Sequence, residues 1–237
     1  MIRNVFVTGT GTDVGKTRVT AGLVSRLRDR GVDAIPVKPV QTGALRDARG
    51  GWHAPDIEYV LASARLALDD GLRAELAFYL FEPACSPHLA ARLAGKPILV
   101  ERIVEGVRRL ETRHGALIVE GAGGILVPLG PTTTMLDLAV ALALPVLLVA
   151  HAGLGTINHT LLSLAALRDR GVPVVGVVLN ETREQDPATK YIRDDNARTI
   201  EEMGAVRIVA RIPFLPSDER GDAALKVALE GVDSLFA

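Results

Sequence analysis

Six short apolar runs, separated by stretches with helical periodicity, constrain the fold of this chain more than any other feature of its sequence. The runs are rich in Val, Ile and Leu and span residues 4–9, 32–40, 116–121, 145–150, 172–180 and 206–213. They are apolar throughout rather than alternating, which is typical of strands covered on both faces and hence of a parallel sheet. Amphipathic patterns predict helices over residues 16–31, 56–68, 101–115, 157–171 and 223–235.

This alternation predicts an α/β fold with a single doubly wound, mostly parallel sheet and helices on both faces. A chain of 237 residues fits one domain, which we expect to span residues 1–237. Residues 41–55 and 181–190 are rich in Gly, Arg, Asp and Thr and predict surface loops. Ligands of such sheets bind beyond the carboxyl ends of the strands, so functional residues are expected at that edge.

Charge and composition narrow the classes of partner. A net charge of −1 and a pI near 6.5 give no electrostatic footprint for nucleic acid or for an anionic membrane. The longest apolar run, residues 138–150, contains Pro145 and is shorter than the roughly 18–20 residues of a membrane span. Cys85 is the only cysteine, and the chain leads straight into a strand without a signal-peptide pattern. We therefore expect a cytoplasmic protein that binds small molecules, with neither nucleic acid nor a membrane as its partner.

The stretch "FVTGTGTDVGKT", residues 6–17, joins the first strand to the first helix. Such a turn gathers backbone N–H groups and a helix N-terminus around one point, where a phosphate chain is bound. Lys16 would reach the outer phosphates, and the Thr17 hydroxyl would ligate a metal ion. Gly9 and Gly15 enclose five residues instead of the usual four. The alternative is a glycine-rich turn with an incidental lysine, but the flanking strand and helix favour a nucleotide site in a P-loop NTPase type of fold.

Two charged residues mark the ends of other apolar runs. Lys38 in "VKPVQTG" interrupts a strand, and because a buried ammonium needs an anion we expect it beside the phosphates. The alternative is an ordinary lysine on an edge strand, and Thr42 alone is weak evidence. Glu120 ends the strand in "LIVEGAGG", where a carboxylate suits Mg²⁺. Asp56 is either a second carboxylate or only a helix cap.

Other candidates are more ambiguous. Residues 153–160, "GLGTINHT", open a helix that is either an anion pocket or an ordinary start capped by Thr156 or Asn158. Asn180 and the "RIPF" segment that contains Pro213 end strands, where they either hold a purine or simply form turns. His88 is equally ambiguous. The histidines lack zinc-site spacing and Cys85 has no evident base, so hydrolase and zinc chemistry are disfavoured.

Taken together, these motifs resemble the dethiobiotin synthetase family. The matching segments occur in this order over nearly the whole chain: "FVTGTGTDVGKT", "VKPVQTG", "CSPHLAARL", "VEGAGGILVPL", "LGTINHTLL", "VLN" and "IPFLP". The family's phosphate loop itself has five residues before its GKT, so the unusual spacing supports the resemblance. It implies a homodimeric ligase of biotin biosynthesis that converts 7,8-diaminononanoate, CO₂ and MgATP into dethiobiotin, ADP and phosphate.

The resemblance also implies roles for individual residues. Lys16 and Lys38 would be catalytic, and Thr17, Asp56 and Glu120 would hold Mg²⁺. The carbamate end of the substrate would contact Thr42. The distant carboxylate of the substrate would bind across the dimer interface to the start of a helix, which comprises Leu154, Gly155, Thr156, Ile157 and Asn158. ATP would contact the phosphate loop, the second glycine-rich turn and the base-binding residues: Thr12, Asp13, Val14, Gly15, Lys16, Thr17, Asp56, Glu120, Gly121, Gly123, Asn180 and Pro213.

Two departures from the family and two competing functions remain. Asp13 stands where the family commonly has Glu, and the basic loop before Asp56 matches the family least closely.

One alternative function is that of an amide-forming synthetase of the cobyrinic acid synthase type, although 237 residues leave no room for its glutaminase domain. The other is a regulatory ATPase of the partition or septum-placement kind, which usually carries a second lysine where this chain has Thr10 and Gly11.

Overall fold

The computed structural model describes residues 2–47, 50–184, 186–216 and 219–236. Residues 48, 49 and 185 of the two expected loops lie outside this range. In chain order the elements are β1 (Val5–Gly9), α1 (Lys16–Asp29), β2 (Ala34–Val37), β3 (Val40–Thr42), β4 (Leu45–Arg46), β5 (Trp52–His53), α2 (Pro55–Ser63), α3 (Asp70–Glu75), β6 (Tyr79–Phe81), α4 (Pro87–Leu93), α5 (Val100–Glu111), β7 (Ala116–Gly124), α6 (Met135–Leu142), β8 (Val146–His151), α7 (Thr156–Asp169), β9 (Val174–Asn180), α8 (Lys190–Gly204), β10 (Ile208–Ile212), α9 (Glu219–Ala228) and α10 (Asp233–Phe236). Two 3₁₀ turns lie at Pro187–Thr189 and Glu230–Val232.

The central sheet has six strands in the order β10-β9-β8-β1-β7-β2. Every neighbouring pair in it is parallel, which confirms the predicted α/β class. None of the helices in the described ranges is long and apolar enough to cross a membrane.

The two faces of the sheet are buried in different cores, which explains why the strands are apolar at every position. In β1, Val5 and Val7 pack in the core that contains residues of α1 and α9. Phe6 lies between them in the chain and packs in the core that contains residues of α5 and α6. Successive side chains of a strand point to opposite faces, so both sets must be apolar when helices cover both.

The predicted strand over residues 32–40 is wrong in its extent. Only Ala34–Val37 joins the central sheet, as its edge strand β2, and β3 (Val40–Thr42) pairs instead with β6 in a separate two-stranded sheet. Pro39 between them has no N–H to donate to a ladder, which favours a break at this point. The break leaves Lys38 just past the carboxyl end of β2.

Two predicted helices also differ from the structure. The helix expected over 56–68 ends at Ser63, because Arg65 adopts a left-handed backbone with φ of 50°. The helix expected over 223–235 is divided into α9, a 3₁₀ turn and α10, and Gly231 lies in that turn. Glycine has low helix propensity, which favours a break there.

A capping box begins α6 and supports a prediction about stability. The Thr134 side chain accepts from the Asp137 N–H, and Asp137 Oδ2 accepts from the Thr134 N–H and hydroxyl, both at 2.8 Å. Arg170 donates to the other oxygen at 3.0 Å. The hydrogen bonds from Thr134, assisted by Arg170, lower the pKa of Asp137 below 3.8.

We expect Asp137→Ala to lower the free energy of unfolding by about 1–2 kcal/mol at pH 7, as measured by urea denaturation. Because the native pKa is lowered, this contribution is complete above the unfolded value of 3.8 and is lost as the pH falls through the native pKa. The difference between variant and wild type should therefore shrink in acid. Asp169→Ala, at an exposed position near the end of α7, is the control and should change stability by no more than about 0.5 kcal/mol. A difference that is unchanged in acid would contradict the assignment.

Candidate active site

The phosphate loop connects β1 to α1 and is shaped by two residues with left-handed backbones. Asp13 has φ of 58° and Gly15 has φ of 96°. Gly15 is the N-cap of α1 and has no side chain that could cap the helix. The first N–H groups of α1 are therefore available to an anion, which the partial positive charge of the helix N-terminus also favours.

Lys16 lies at the start of α1 and is 7% exposed. Its Nζ donates to the Gly11 carbonyl at 2.8 Å, so the side chain folds back over the loop. Burial lowers the pKa of Lys16 from 10.5 to about 8, and the positive charge of Lys38 adds to this effect, while nearby carboxylates oppose it. A phosphate group beside Lys16 would supply the negative charge that this ammonium lacks.

Lys38 is the centre of a buried ion cluster. Its Nζ lies 2.7 Å from Glu120 Oε1 and 2.6 Å from Asp56 Oδ2. The lysine is 5% exposed and Glu120 is 2% exposed. Burial by itself lowers the pKa of Lys38, but the attraction of Glu120 and Asp56 outweighs it, so the pKa is raised above 10.5.

The strand order explains why these charges meet. β7 lies between β1 and β2, with Glu120 opposite Val7 on one side and Val119 opposite Val37 on the other. Glu120 therefore lies between the phosphate loop, which follows β1, and Lys38, which follows β2. The Thr17 hydroxyl donates to Glu120 Oε1 at 2.8 Å and completes the cluster from the first turn of α1.

The oxygen atoms of this cluster fit a magnesium ion. Thr17 contributes a hydroxyl and Glu120 and Asp56 contribute carboxylates, which are the hard ligands that Mg²⁺ prefers. Both carboxylates touch one cation, the Lys38 ammonium, so they are already close enough to share a positive charge. Within the described residues no group of three or more His, Cys, Asp or Glu could form a metal cage. Such a small protein ligand set is typical of Mg²⁺ that is also held by phosphates and water.

A cleft of about 690 Å³ contains these side chains. It brings together many of the residues that the sequence singled out: Thr12, Asp13, Gly15, Lys16, Thr17, Lys38, Thr42, Asp56, Glu120 and Gly123. Val14 and Gly121, which were also predicted to bind ATP, contact functional side chains through their backbone. The Val14 carbonyl accepts from Asn180 Nδ2 at 2.9 Å, and the Gly121 carbonyl accepts from Lys38 Nζ at 3.4 Å.

Eight other described residues that line the cleft had no role predicted from the sequence. They are Val40, Gln41, Ala84, Cys85, Ser86, Pro87, Ala122 and Val127. Several lie in motifs already noted, "VKPVQTG" and "CSPHLAARL". The small apolar side chains among them carry no chemical signal that marks them as ligand contacts. His88 follows this group, and its Nδ1 is buried with no hydrogen-bond partner in the part of the chain that the structure describes.

The remaining predicted residues are not among those that line this cleft. Asn180 packs against the phosphate loop, and its buried Oδ1 has no partner within the described ranges. Pro213 is exposed just after β10, and Leu154 is 93% exposed. The alternative that Thr156 or Asn158 caps α7 is wrong. Gly155, with φ of 89°, is the N-cap and makes no side-chain cap hydrogen bond.

A parallel sheet, a glycine-rich phosphate loop with its lysine, and a hydroxyl–carboxylate cluster beside that loop define a nucleotide-binding protein of the P-loop NTPase class. The family model described as "AAA domain" matches residues 3–220. An ATP-dependent dethiobiotin synthetase BioD from Anaeromyxobacter dehalogenans (strain 2CP-C) is 41% identical over 235 residues, which cover 94% of this chain and 96% of the relative. The synthetase BioD from Anoxybacillus flavithermus is 38% identical, with 90% of this chain and 93% of the relative covered. The chain belongs to the ATP-dependent dethiobiotin synthetase family.

Solved structures with a similar fold come from other ATPases. MinD cell division protein from Aquifex aeolicus superposes with a TM-score of 0.61 at 13% identity, covering 99% of this chain and 97% of that chain. A ParA family ATPase from Chlorobium tepidum has a TM-score of 0.54 at 14% identity, covering 99% and 93%. At this level of identity the similarity shows the fold alone.

Proposed function

We propose that this chain is an ATP-dependent dethiobiotin synthetase of biotin biosynthesis, acting in the cytoplasm as a single domain over residues 1–237. It would close the ureido ring of dethiobiotin from 7,8-diaminononanoate and CO₂ at the expense of ATP. The observation that carries the proposal is the position of Lys16 and Lys38, two buried ammonium groups that line one cleft beside the phosphate loop. Two cations at one point suit the transfer of a phosphoryl group to a second anion.

The chemistry has three steps. One amine of the substrate adds to CO₂ and becomes a carbamate after losing a proton. A carbamate oxygen then attacks the γ-phosphorus of ATP, which releases ADP and leaves a carbamic–phosphoric anhydride. The second amine attacks the anhydride carbon, the ring closes and phosphate departs. The first two steps gather negative charge, so the protein mainly has to position the reactants and neutralise that charge.

The two lysines divide this work. Lys16, in the phosphate loop, would bind the phosphate chain of ATP and neutralise the negative charge of the γ-phosphate during its transfer. Lys38, past the end of β2, would neutralise the carbamate and then its phosphorylated form, with Thr42 beside it. Both side chains are desolvated, and a charge in a site without water stabilises an anion more strongly than in solution.

Thr17, Glu120 and Asp56 would hold Mg²⁺. The ion would supply positive charge to the phosphate oxygens, and these three side chains would fix its position. Lys38 contacts the same two carboxylates, so its ammonium lies beside the residues that would hold the ion.

Other contacts with the substrates complete the proposal. Asn180 and Pro213 would contact adenine, supported by the unpaired Oδ1 of Asn180 among the described residues. Residues 154–158, at the start of α7, would bind the substrate's distant carboxylate through N–H groups of the first helical turn. Since this helix start does not line the cleft of its own chain, it would serve the site of a second copy, in a homodimer.

We expect purified protein to release phosphate from MgATP only when the diamine and bicarbonate are both present. The product should have the mass of the diamine plus CO₂ less one water. A continuous phosphate assay and mass spectrometry would measure the two, with Lys16→Gln as the inactive control. Hydrolysis at the same rate without the diamine would instead support a regulatory ATPase.

A further inference from the structure

Gln41 is a buried side chain for which the reaction proposed above provides no role. It is 5% exposed and lies in the cleft wall between Val40 and Thr42. Its backbone is fixed because β3 pairs with β6, where Gln41 lies opposite Leu80. A buried amide is costly unless both of its ends are hydrogen-bonded, so the partners of this side chain indicate what it does.

Both ends of the Gln41 amide have hydrogen-bond partners, and one of them belongs to Asp56. Oε1 accepts from the backbone N–H of Asp56 at 3.3 Å, and Nε2 donates to the Thr42 carbonyl at 2.8 Å. The first bond crosses from β3 to the first turn of α2, which lies 15 positions further along the chain. The amide therefore connects β3 and α2, the two elements on either side of the loop that matches the family least closely.

The first bond has particular weight because α2 lacks a cap of its own. Its N-cap is Ala54, whose side chain has no oxygen, and Pro55 follows as the first helical residue. The N–H of Asp56 is one of the donors that a helix start leaves unpaired. Gln41, from another element, supplies the oxygen that an N-cap side chain normally provides.

We propose that Gln41 is a positioning residue that holds Asp56 at the metal site. The Asp56 carboxylate reaches the Lys38 ammonium at 2.6 Å, and its backbone is held by the Gln41 amide, so the amide sets where the carboxylate lies. This inference rests on the proposed function, in which Asp56 is a magnesium ligand. Residues that orient metal ligands typically change metal affinity by about 10–100-fold when they are replaced.

The test compares four variants with the wild type. Gln41→Met keeps the volume of the side chain but has neither the donor nor the acceptor. Gln41→Glu keeps an oxygen for the Asp56 N–H. Asp56→Asn tests the ligand itself, and Asn196→Leu removes a buried amide of α8, which does not line the cleft. Mn²⁺ serves as the probe, titrated by electron paramagnetic resonance in the presence of a non-hydrolysable ATP analogue.

We expect Gln41→Met to weaken Mn²⁺ binding at least roughly 10-fold, with little change in affinity for the analogue without metal. Hydrogen exchange of the peptide over residues 54–58 should become faster in Gln41→Met and stay slow in Gln41→Glu. Gln41→Glu should also bind Mn²⁺ at least as well as Gln41→Met, and Asn196→Leu should bind it like the wild type.

The outcomes separate the inference from the proposed function. If Asp56→Asn weakens Mn²⁺ binding but Gln41→Met does not, Gln41 has only a structural role and the inference is overturned. If Asp56→Asn leaves Mn²⁺ binding unchanged, the metal role of Asp56 fails, and the positioning role fails with it. Should Gln41→Met not fold, faster exchange at residues 54–58 in Gln41→Glu would overturn the inference by itself.

Discussion

Replacing Lys38 with methionine should reduce dethiobiotin formation about 1,000-fold or more while MgATP binding stays within about threefold of the wild type. Lys16, not Lys38, lies in the phosphate loop and at the start of α1, so the variant keeps the main nucleotide contacts. The carbamate and its phosphorylated form would lose their counter-charge. Single-turnover phosphate release and calorimetric titration with MgATP measure the two quantities separately.

Stability has to be controlled in this experiment, because Lys38 compensates a buried carboxylate. Glu120 is 2% exposed, and its Oε1 accepts from both Lys38 and Thr17. Removing the ammonium leaves a buried carboxylate without its charge partner, which typically costs about 3–5 kcal/mol. The free energy of unfolding should therefore fall in Lys38→Met.

The double variant Lys38→Met with Glu120→Gln removes both charges and separates the two effects. It should regain much of the lost stability, because neither charge of the Lys38–Glu120 pair remains buried without the other, and it should stay inactive. Equal losses of MgATP affinity and turnover in Lys38→Met would contradict the role of this lysine in phosphoryl transfer.

Much of this arrangement follows from local sequence. The apolar runs that contain Lys38 and Glu120 both contribute strands to one sheet, and parallel strands bring their carboxyl ends to one edge. The prediction that Glu120 ends its strand is wrong, because β7 continues to Gly124. The phosphate loop lies at the same edge because it follows β1, which neighbours β7. The prediction that Lys16, Lys38 and Glu120 lie near one another needs only the order of elements and the right-handed crossovers.

The sequence does not predict contacts between segments whose relative positions are set by tertiary packing. The side chain of Asp56 reaches Lys38 across a loop with little resemblance to the family, and the backbone N–H of Asp56 donates to the amide of Gln41. A glutamine in an apolar strand looks like an ordinary polar interruption until its partners are known. Asn180 is similar, since local sequence does not reveal that it packs on the phosphate loop.

The packing of Asn180 on the phosphate loop is the basis of the second prediction with a large effect, which concerns the replacement of Gly15 by alanine. Gly15 has φ of 96°, a conformation that an L-residue with a side chain rarely adopts. A Cβ at this position would lie 2.1 Å from Nδ2 of Asn180, which is far inside van der Waals contact. Strain and clash together would displace the N-cap of α1, and with it Lys16 and the first N–H groups of the helix.

We expect Gly15→Ala to weaken MgATP binding at least about 100-fold, because the displaced groups are those that would hold the phosphates. Gly11→Ala is the matched control within the same loop. A Cβ there meets nothing within 4 Å among the described atoms, and Gly11 does not have a positive φ. Its affinity should remain within about threefold of the wild type, measured by the same titration. If both variants lose affinity equally, general sensitivity of the loop explains the effect and the role of the Gly15 backbone is refuted. If only Gly15→Ala loses it, nucleotide binding depends on the left-handed turn that places Lys16 and the start of α1.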